Sequence, residues 1–447
     1  MRVRRALAAR GALAAAMVAL VASCAGPPRV QFATRTVTPA QPVVAAGAAT
    51  TAPPTAGGLL PAAGTAATGT GPGAAGGAPG SKGVIKIGTI LALQGGQRDL
   101  GEPVLRTTQA FVDELNARGG VAGYTLQLIA YNACLTCQDE ALTAARRLVE
   151  QDHVFALVNT YPMVIAFQSV IPYLVDHDIP LIQGGAENQT SDALSPVNFA
   201  TAPSGLFYAR FLSVMAARYA HIKRVAISYL DVPSEANGLA ILRRELAAEG
   251  VQVVDEEPIG AAEEAVTNMD SAVIRMRTKG ADGVLATNPV VLIFGRLAAQ
   301  RQGWNAPWVG EAAWSALVES GCGVTCDDVV LTDTAGLSYI DRDTPQMRQY
   351  LDTMARRYPG GQISGHTLAA WAGMQLFTEI LGRVGAPDPA AFLDALEHTT
   401  NLDLGTTSPI TFGPDRHLGG TASTLLKLSG GHYVRASDPL DFGEAAP

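Results

Sequence analysis

No acidic residue occurs before Asp99, and no run of basic residues occurs after it. Nine of the 32 basic residues precede Asp99, so the remaining 23 face 40 acidic ones, a net charge of −17. A body this acidic is a poor nucleic-acid binder, because that affinity rests on Lys and Arg paired with phosphates. Aromatic residues are only 6% of the chain, too few for a base-stacking surface. Five cysteines in 447 residues are not a disulfide scaffold, and a chain of this length can build its core without one. Metal and nucleophile motifs are missing too. No two of the seven His are spaced i, i+3 or i+4, there is no H-E-x-x-H, and no G-x-S-x-G elbow occurs. Neither a metal nor a cofactor is therefore expected.

What is present begins with an address. Met1 to Arg5 is basic, and Gly11 to Val21 is apolar but too short to span a bilayer. The run ends Val21-Ala22-Ser23-Cys24, which resembles the lipobox of bacterial lipoproteins. That resemblance implies a signal peptide over 1–23, cleavage before Cys24, and acyl chains on Cys24 that hold the protein to a membrane. An ordinary secretory signal with an incidental Cys is the other reading. Residues 25–82 are nearly all Ala, Gly, Pro and Thr, with Phe32 the one aromatic. Such a tract cannot offset its chain entropy by burial and reads as a tether. Gly71-Pro-Gly-Ala-Ala-Gly76 matches a dinucleotide-binding pattern but has no strand before it and no helix after it. No further segment reaches 18 apolar residues without charge, so no transmembrane helix is expected.

From Gly83 the pattern alternates. Val84–Leu93 reads as a strand buried on both faces and Glu102–Arg118 as a helix stopped by Gly119-Gly120. Strands at Leu126–Tyr131, Val154–Val158 and Ile179–Ile182 alternate with helices at Gln138–Glu150 and Met163–Val175. The rhythm restarts with a helix at Leu206–Tyr219 and runs to a strand at Pro307–Val309. Helices at Gln346–Tyr358, Thr367–Val384 and Pro389–Thr399 follow, then short strands near Pro409–Phe412 and Ser423–Lys427. Two runs of this kind imply two α/β lobes with parallel sheets covered by helices. Ligands of such sheets bind beyond the carboxyl ends of the strands. Here those ends carry Gln94–Gly101, Asn159–Pro162, Gln183–Asn188, Asp231–Ala236, Thr287–Val290 and Gly310–Trp314. Pattern alone gives a cleft and does not separate a binder from an enzyme.

The four cysteines beyond Cys24 form two local pairs, Cys134-x-x-Cys137 and Cys322-x-x-x-Cys326. A redox pair, a zinc site and structural disulfides that fix two surface turns all fit the spacing. An exported chain favours the disulfides.

Phe111-Val-Asp-Glu-Leu-Asn-Ala-Arg-Gly-Gly-Val-Ala-Gly123 resembles the turn after the first helix of branched-chain-amino-acid-binding proteins. These are type I periplasmic binding proteins that feed ABC importers. The segments Val170–Ile182 and Gly184–Asn188, with Asp231 and Gly238-Leu-Ala240, continue the likeness over most of residues 84–435. The resemblance implies two Rossmann-like lobes joined by a three-crossover hinge. Lobe 1 would comprise 83–203 and 332–405, and lobe 2 would comprise 204–331 and 406–440. The crossovers would lie near Thr201–Ser204, Leu331–Gly336 and Leu404–Pro409. It also implies that a small molecule, an amino acid or similar polar metabolite, is held in the cleft and that the closed form docks on an ABC permease. The location would be the outer face of the bacterial membrane or the periplasm. Matched residue by residue, the ligand-binding positions are Leu100, Thr160, Tyr161, Gly185, Ala186 and Glu187 in lobe 1, and Glu235, Asn288 and Glu311 in lobe 2. Several depart from the family pattern: Leu100 stands where an aromatic is usual, and Glu235-Ala236 where a Tyr-Gly pair is usual. If Glu235 and Glu311 face the cleft, the site favours an amine-bearing ligand. A ligand sensor on the same fold, without transport, and an exported thiol oxidoreductase are the alternatives.

The lipobox reading gives the first prediction. Cys24→Ser should abolish incorporation of labelled fatty acid and move the protein from the membrane to the soluble fraction. A wild-type chain that takes up no label would remove the anchor.

Overall fold

A computed structural model describes residues 82–445, apart from 95–97, 135–136, 161–166, 184–194, 232, 261, 312–314, 334–341, 362 and 444. The signal segment, Cys24 and the tether lie outside the described residues. The β-branched run at the start of the globular part forms β1 (Gly83–Leu91), fully buried from Ile87 onward. It is followed by α1 (Arg98–Ala117), β2 (Tyr124–Asn132), α2 (Gln138–Arg146), β3 (Ala156–Val158), α3 (Phe167–Asp176), β4 (Leu181–Gln183) and β5 (Asn198–Ala200). The first sheet has the order β2-β1-β3-β4-β5 and is parallel throughout.

Parallel strands need both faces covered, and the side-chain alternation shows how this is met. Leu157 and Leu181 point into one core with Ala141 and Ala144 of α2, Leu148 of the π-helical turn that follows it, and Val170 and Leu174 of α3. Their neighbours Val158 and Ile182 point into the other, with Phe111 of α1. That second core is completed from far along the chain, by α9 (Pro345–Arg357), α10 (Gly365–Val384) and α11 (Pro389–Glu397). Trp371 of α10 meets Phe111 edge to face at 4.8 Å, and Phe392 of α11 meets Phe155 at 5.4 Å. Ser364 caps α10 and Gly385 ends it in the left-handed conformation, so the twenty-residue helix has both ends specified locally.

The second unit runs α4 (Gly205–Val214), β6 (Arg224–Leu230), α5 (Pro233–Ala248), β7 (Gln252–Ile259), α6 (Ala262–Thr278), β8 (Gly283–Ala286), α7 (Pro289–Arg301), β9 (Trp308–Glu311), α8 (Ser315–Cys322) and β10 (Val330–Thr332). It closes with the hairpin β11 (Leu425–Ser429) and β12 (His432–Arg435). Its seven-stranded sheet has the order β12-β11-β10-β9-β8-β6-β7, parallel from β7 to β10 and antiparallel beyond. Ala226 and Val284 face α6 and α7, while Val225, Ile227 and Leu285 face α4 and α5.

Described residues of the passages between the sheets lie against one another. The first is Thr201–Ser204, where Gly420 N–H donates to Ala202 O at 3.2 Å. A Cβ on Gly420 would stand 2.5 Å from Pro203 N, so only glycine permits this approach. The second leaves β10 at Thr332, whose hydroxyl is 3.0 Å from that of Ser423. The third falls later than the expected Leu404–Pro409. Ile410 and Phe412 are buried in the first core, and Leu418 bridges to Ala200 at the edge of the first sheet. The chain rejoins the second sheet only at Leu425. The short strand expected near Pro409–Phe412 is a bridge of Ile410 to Leu402 and Gly420.

Two disulfides are formed within the local pairs, with Cα–Cα distances of 5.1 Å for Cys134–Cys137 and 5.6 Å for Cys322–Cys326. The second is no surface turn: Cys322 and Cys326 belong to the core of the second sheet. Among the described residues no helix is long and apolar enough to cross a membrane.

Trp371 is 1% exposed and bridges α1, α9 and α10. Trp371→Ala should cost about 3–5 kcal/mol in urea unfolding. A loss below 1 kcal/mol would show that the late helices do not hold the first sheet.

Candidate functional site

Each sheet has a point where consecutive connections leave in opposite directions, between β1 and β3 in the first and between β6 and β8 in the second. Crevices at the carboxyl ends of such strands are where α/β sheets take ligands. In the first sheet β3 is followed directly by Asn159, which is 2% exposed with φ +47°. A left-handed, buried non-glycine residue needs specific anchorage. Its side-chain Nδ2 donates to Thr108 Oγ1 of α1 at 3.1 Å and to Ala370 O of α10 at 2.8 Å. Its N–H donates to Ile182 O of β4, and its carbonyl accepts from Thr89 Oγ1 of β1. One residue thus ties β1, β4, α1 and α10 together at the strand ends, and Thr160 comes next. Thr160 is 1% exposed, and among the described residues its Oγ1 has no hydrogen-bond partner. On the other side of the switch, α1 presses on the backbone after β1, for a Cβ on Gly101 would lie 2.2 Å from Ala92 O.

The second sheet contributes acids and a phenol. Asp231 follows β6, Glu311 ends β9, and Asp333 follows β10 one rung beyond the Thr332–Glu311 pair. Tyr208 of α4 donates to Asp333 O at 3.2 Å. Desolvation, then the carboxylates of Asp333 and Glu311, push its phenol well above the ordinary range. Ser423 also donates to Asp333 O, at 2.7 Å. Asn288 caps α7, its Oδ1 accepting from Val290 N–H at 2.9 Å.

Of the residues expected from sequence, Thr160, Asn288 and Glu311 therefore stand at the carboxyl ends of β3, β8 and β9. Asn288 spends its side-chain oxygen on a helix cap. Leu100 lies in the first turn of α1 and Glu235 in the first turn of α5; their side chains are not described. Tyr161, Gly185, Ala186 and Glu187 lie outside the described residues. Asn159, Tyr208 and Asp333 were not singled out from sequence. A positive φ and a tyrosine brought 125 positions along to Asp333 leave no mark in local pattern. Among the described residues no group of three or more His, Cys, Asp or Glu could hold a metal ion.

Comparison with known proteins agrees with this architecture. The family model for periplasmic binding proteins matches residues 84–432. A Leu/Ile/Val-binding protein homologue of Brucella suis is 25% identical over 351 residues, covering 72% of this chain and 83% of its own. An amino acid binding protein of Pseudomonas aeruginosa is 26% identical over 344 residues, covering 72% and 84%. The branched-chain amino acid transporter substrate binding protein of Streptococcus pneumoniae, solved with isoleucine, superposes with a TM-score of 0.67 at 20% identity, over 79% of this chain and 99% of that one. A solute binding protein of R. palustris, solved with 4-hydroxybenzoate, gives 0.67 at 17% identity over 81% and 98%. The fold of this chain is that of type I periplasmic binding proteins.

His366, the second residue of α10, is buried, and desolvation pushes its pKa down to about 4. It is neutral when folded, whereas the unfolded chain protonates it near pH 6.5. The unfolded state then binds more protons between about pH 6.5 and 4, so stability falls as pH falls through that window. Burial pushes His417 the same way. Urea unfolding at pH 7.5 and 5 should show this loss, up to roughly 1.4 kcal/mol per pH unit for one such group. His366→Gln should flatten the slope, and an unchanged slope would contradict the assignment.

Proposed function

The chain belongs to the periplasmic binding protein family, and we propose that it is the extracytoplasmic solute-binding lipoprotein of an ABC importer. It takes an amino acid or similar small polar metabolite between two lobes. The observation that carries this reading is the pair of switch points whose strand ends bear polar groups: Asn159 and Thr160 on one sheet, Asn288, Glu311 and Asp333 on the other. Loops at those ends can surround a small molecule without disturbing either core. Lobe 1 is residues 83–203 with 332–405, extended by the segment through Leu418 that packs on it, and the rest forms lobe 2.

The three adjacent passages supply the hinge. Few residues need to change conformation there, and each lobe keeps its own core. Thr160, with the backbone of Gly185 and Ala186 and the side chains of Tyr161, Glu187 and Leu100, would line the first lobe. Glu235, Asn288 and Glu311 would line the second, with Glu311 facing a ligand ammonium. A carboxylate at a strand end is satisfied by such a partner as the cleft closes over it. The relatives solved with isoleucine and with 4-hydroxybenzoate support a small-molecule site on this frame. Lipid on Cys24 and the tether would keep the receptor beside a membrane permease.

The test is a thermal-shift screen of the purified protein against amino acids, amines, amides and small organic acids. A ligand at about 100 times its Kd should stabilise the fold by roughly 2.7 kcal/mol, a rise of several degrees in Tm. Glu311→Gln should weaken an ammonium-bearing ligand at least tenfold in titration calorimetry. No shift with any compound would sink the reading.

A further inference from the structure

The two disulfides differ in how a reagent could reach them. Cys322 and Cys326 are 7% and 0% exposed, in the core of the second sheet. Their turn is held shut. Arg296 Nη2 donates to Thr325 O at 2.9 Å, and the Asp327 carboxylate accepts from the N–H groups of Gly430 and Gly431, each at 3.0 Å. Cys134 and Cys137 are partly exposed and follow the carboxyl end of β2, where α2 begins. Cys137 is the N-cap of α2, yet its side chain accepts no capping hydrogen bond. A thiolate at that place would take up first-turn N–H groups and meet the positive end of the helix. Asp139 and Glu140 in the same turn oppose a negative charge, but both are exposed to solvent, which screens them. Cys137 is therefore the better leaving group of the pair.

The pair is also tied to the loop after β1. Ala133 N–H donates to Leu91 O at 3.0 Å, and Asn132 Oδ1 accepts from Leu93 N–H at 2.8 Å. The two residues before Cys134 thus hold the chain as it leaves β1. We propose that Cys134–Cys137 is a thiol-exchange site, reduced by an exported dithiol protein, and that its redox state sets how firmly the loop after β1 is held. A partner thiolate attacks Cys134 Sγ, the Cys134–Cys137 bond breaks, and Cys137 leaves as the thiolate. The partner's second thiolate then attacks its own sulfur in the mixed disulfide and releases Cys134. Two electrons and two protons pass to the pair, and the partner is left as a disulfide. Opening so short a covalent loop frees little chain, so the fold survives the change. Under the receptor reading the loop after β1 leads to Leu100 and borders the cleft, so reduction would loosen the ligand site. The exchange site itself does not depend on that reading.

Dithiothreitol titration of the full chain at neutral pH, followed by alkylation and peptide mass spectrometry, tests the site. Cys134 and Cys137 should be alkylated at a dithiothreitol concentration at least tenfold below that needed for Cys322 and Cys326. Cys137 in Cys134→Ser should react with iodoacetamide at a lower pH than Cys134 in Cys137→Ser. Deuterium exchange tests the link to the loop. Reduction should speed exchange of the Leu93 amide at least fivefold and leave that of Leu285, in the second sheet, unchanged. The double variant Cys134→Ser, Cys137→Ser should show the faster exchange without reductant. Reduction of both disulfides at the same concentration overturns the site, and so does loss of the thermal unfolding transition on reduction. The reverse order of iodoacetamide reactivity overturns Cys137 as the leaving group. A Leu93 amide that exchanges alike in both states overturns the link. No readout uses a ligand, so these failures leave the receptor reading standing, and a blank ligand screen leaves the exchange site standing.

Discussion

A parallel sheet cannot leave either face in water, and that requirement organises the whole chain. The first sheet is finished by residue 200, but the local sequence supplies only part of one of its two cores. Trp371, Phe377 and Phe392 complete that core, and they arrive only after the second sheet has largely been built. The chain must therefore pass between the units three times. The third passage lies against the starts of the other two: Ala202 beside Gly420, Thr332 beside Ser423. Three passages between the units follow from covering a sheet with helices drawn from a distant stretch of sequence.

The same covering helix reaches the site. Ala370 accepts a hydrogen bond from Asn159, so α10 helps hold the residue that fixes the backbone before Thr160. Packing that stabilises the first lobe and geometry that presents polar groups at its strand ends are thus one arrangement. Burial of His366 at the start of α10 adds a neutral imidazole to the same region. The second lobe differs in kind. Its strand ends carry carboxylates with Tyr208 lodged against them, where those of the first sheet carry neutral polar groups.

Much of this was legible in the residues. The β-branched run at Val84, the helix ending at Gly119-Gly120, and the restart at Leu206 gave two α/β units, because a strand buried on both faces and an amphipathic helix have different periods. The three-residue strands β5 and β10 were missed, whereas β3 and β4, equally short, were caught because apolar flanks at Val154, Phe155 and Ile179 lengthen their runs. The third passage was placed too early because Ile410 and Phe412 read equally well as a strand of either sheet. At the site, Thr160 and Glu311 were reachable from their place after strands. Asn159 was not, for its role depends on a positive φ and on partners at positions 108 and 370.

The sequence by itself determined the order of elements, the acidic charge of the globular part and the local cysteine pairs, all of which depend on neighbours within a few residues. Only the tertiary structure decided which helices cover the first sheet, that Cys322–Cys326 is buried in a core, and which polar atoms at the strand ends remain unpartnered. Those outcomes depend on groups more than a hundred positions apart meeting in space, and no local pattern records such a meeting.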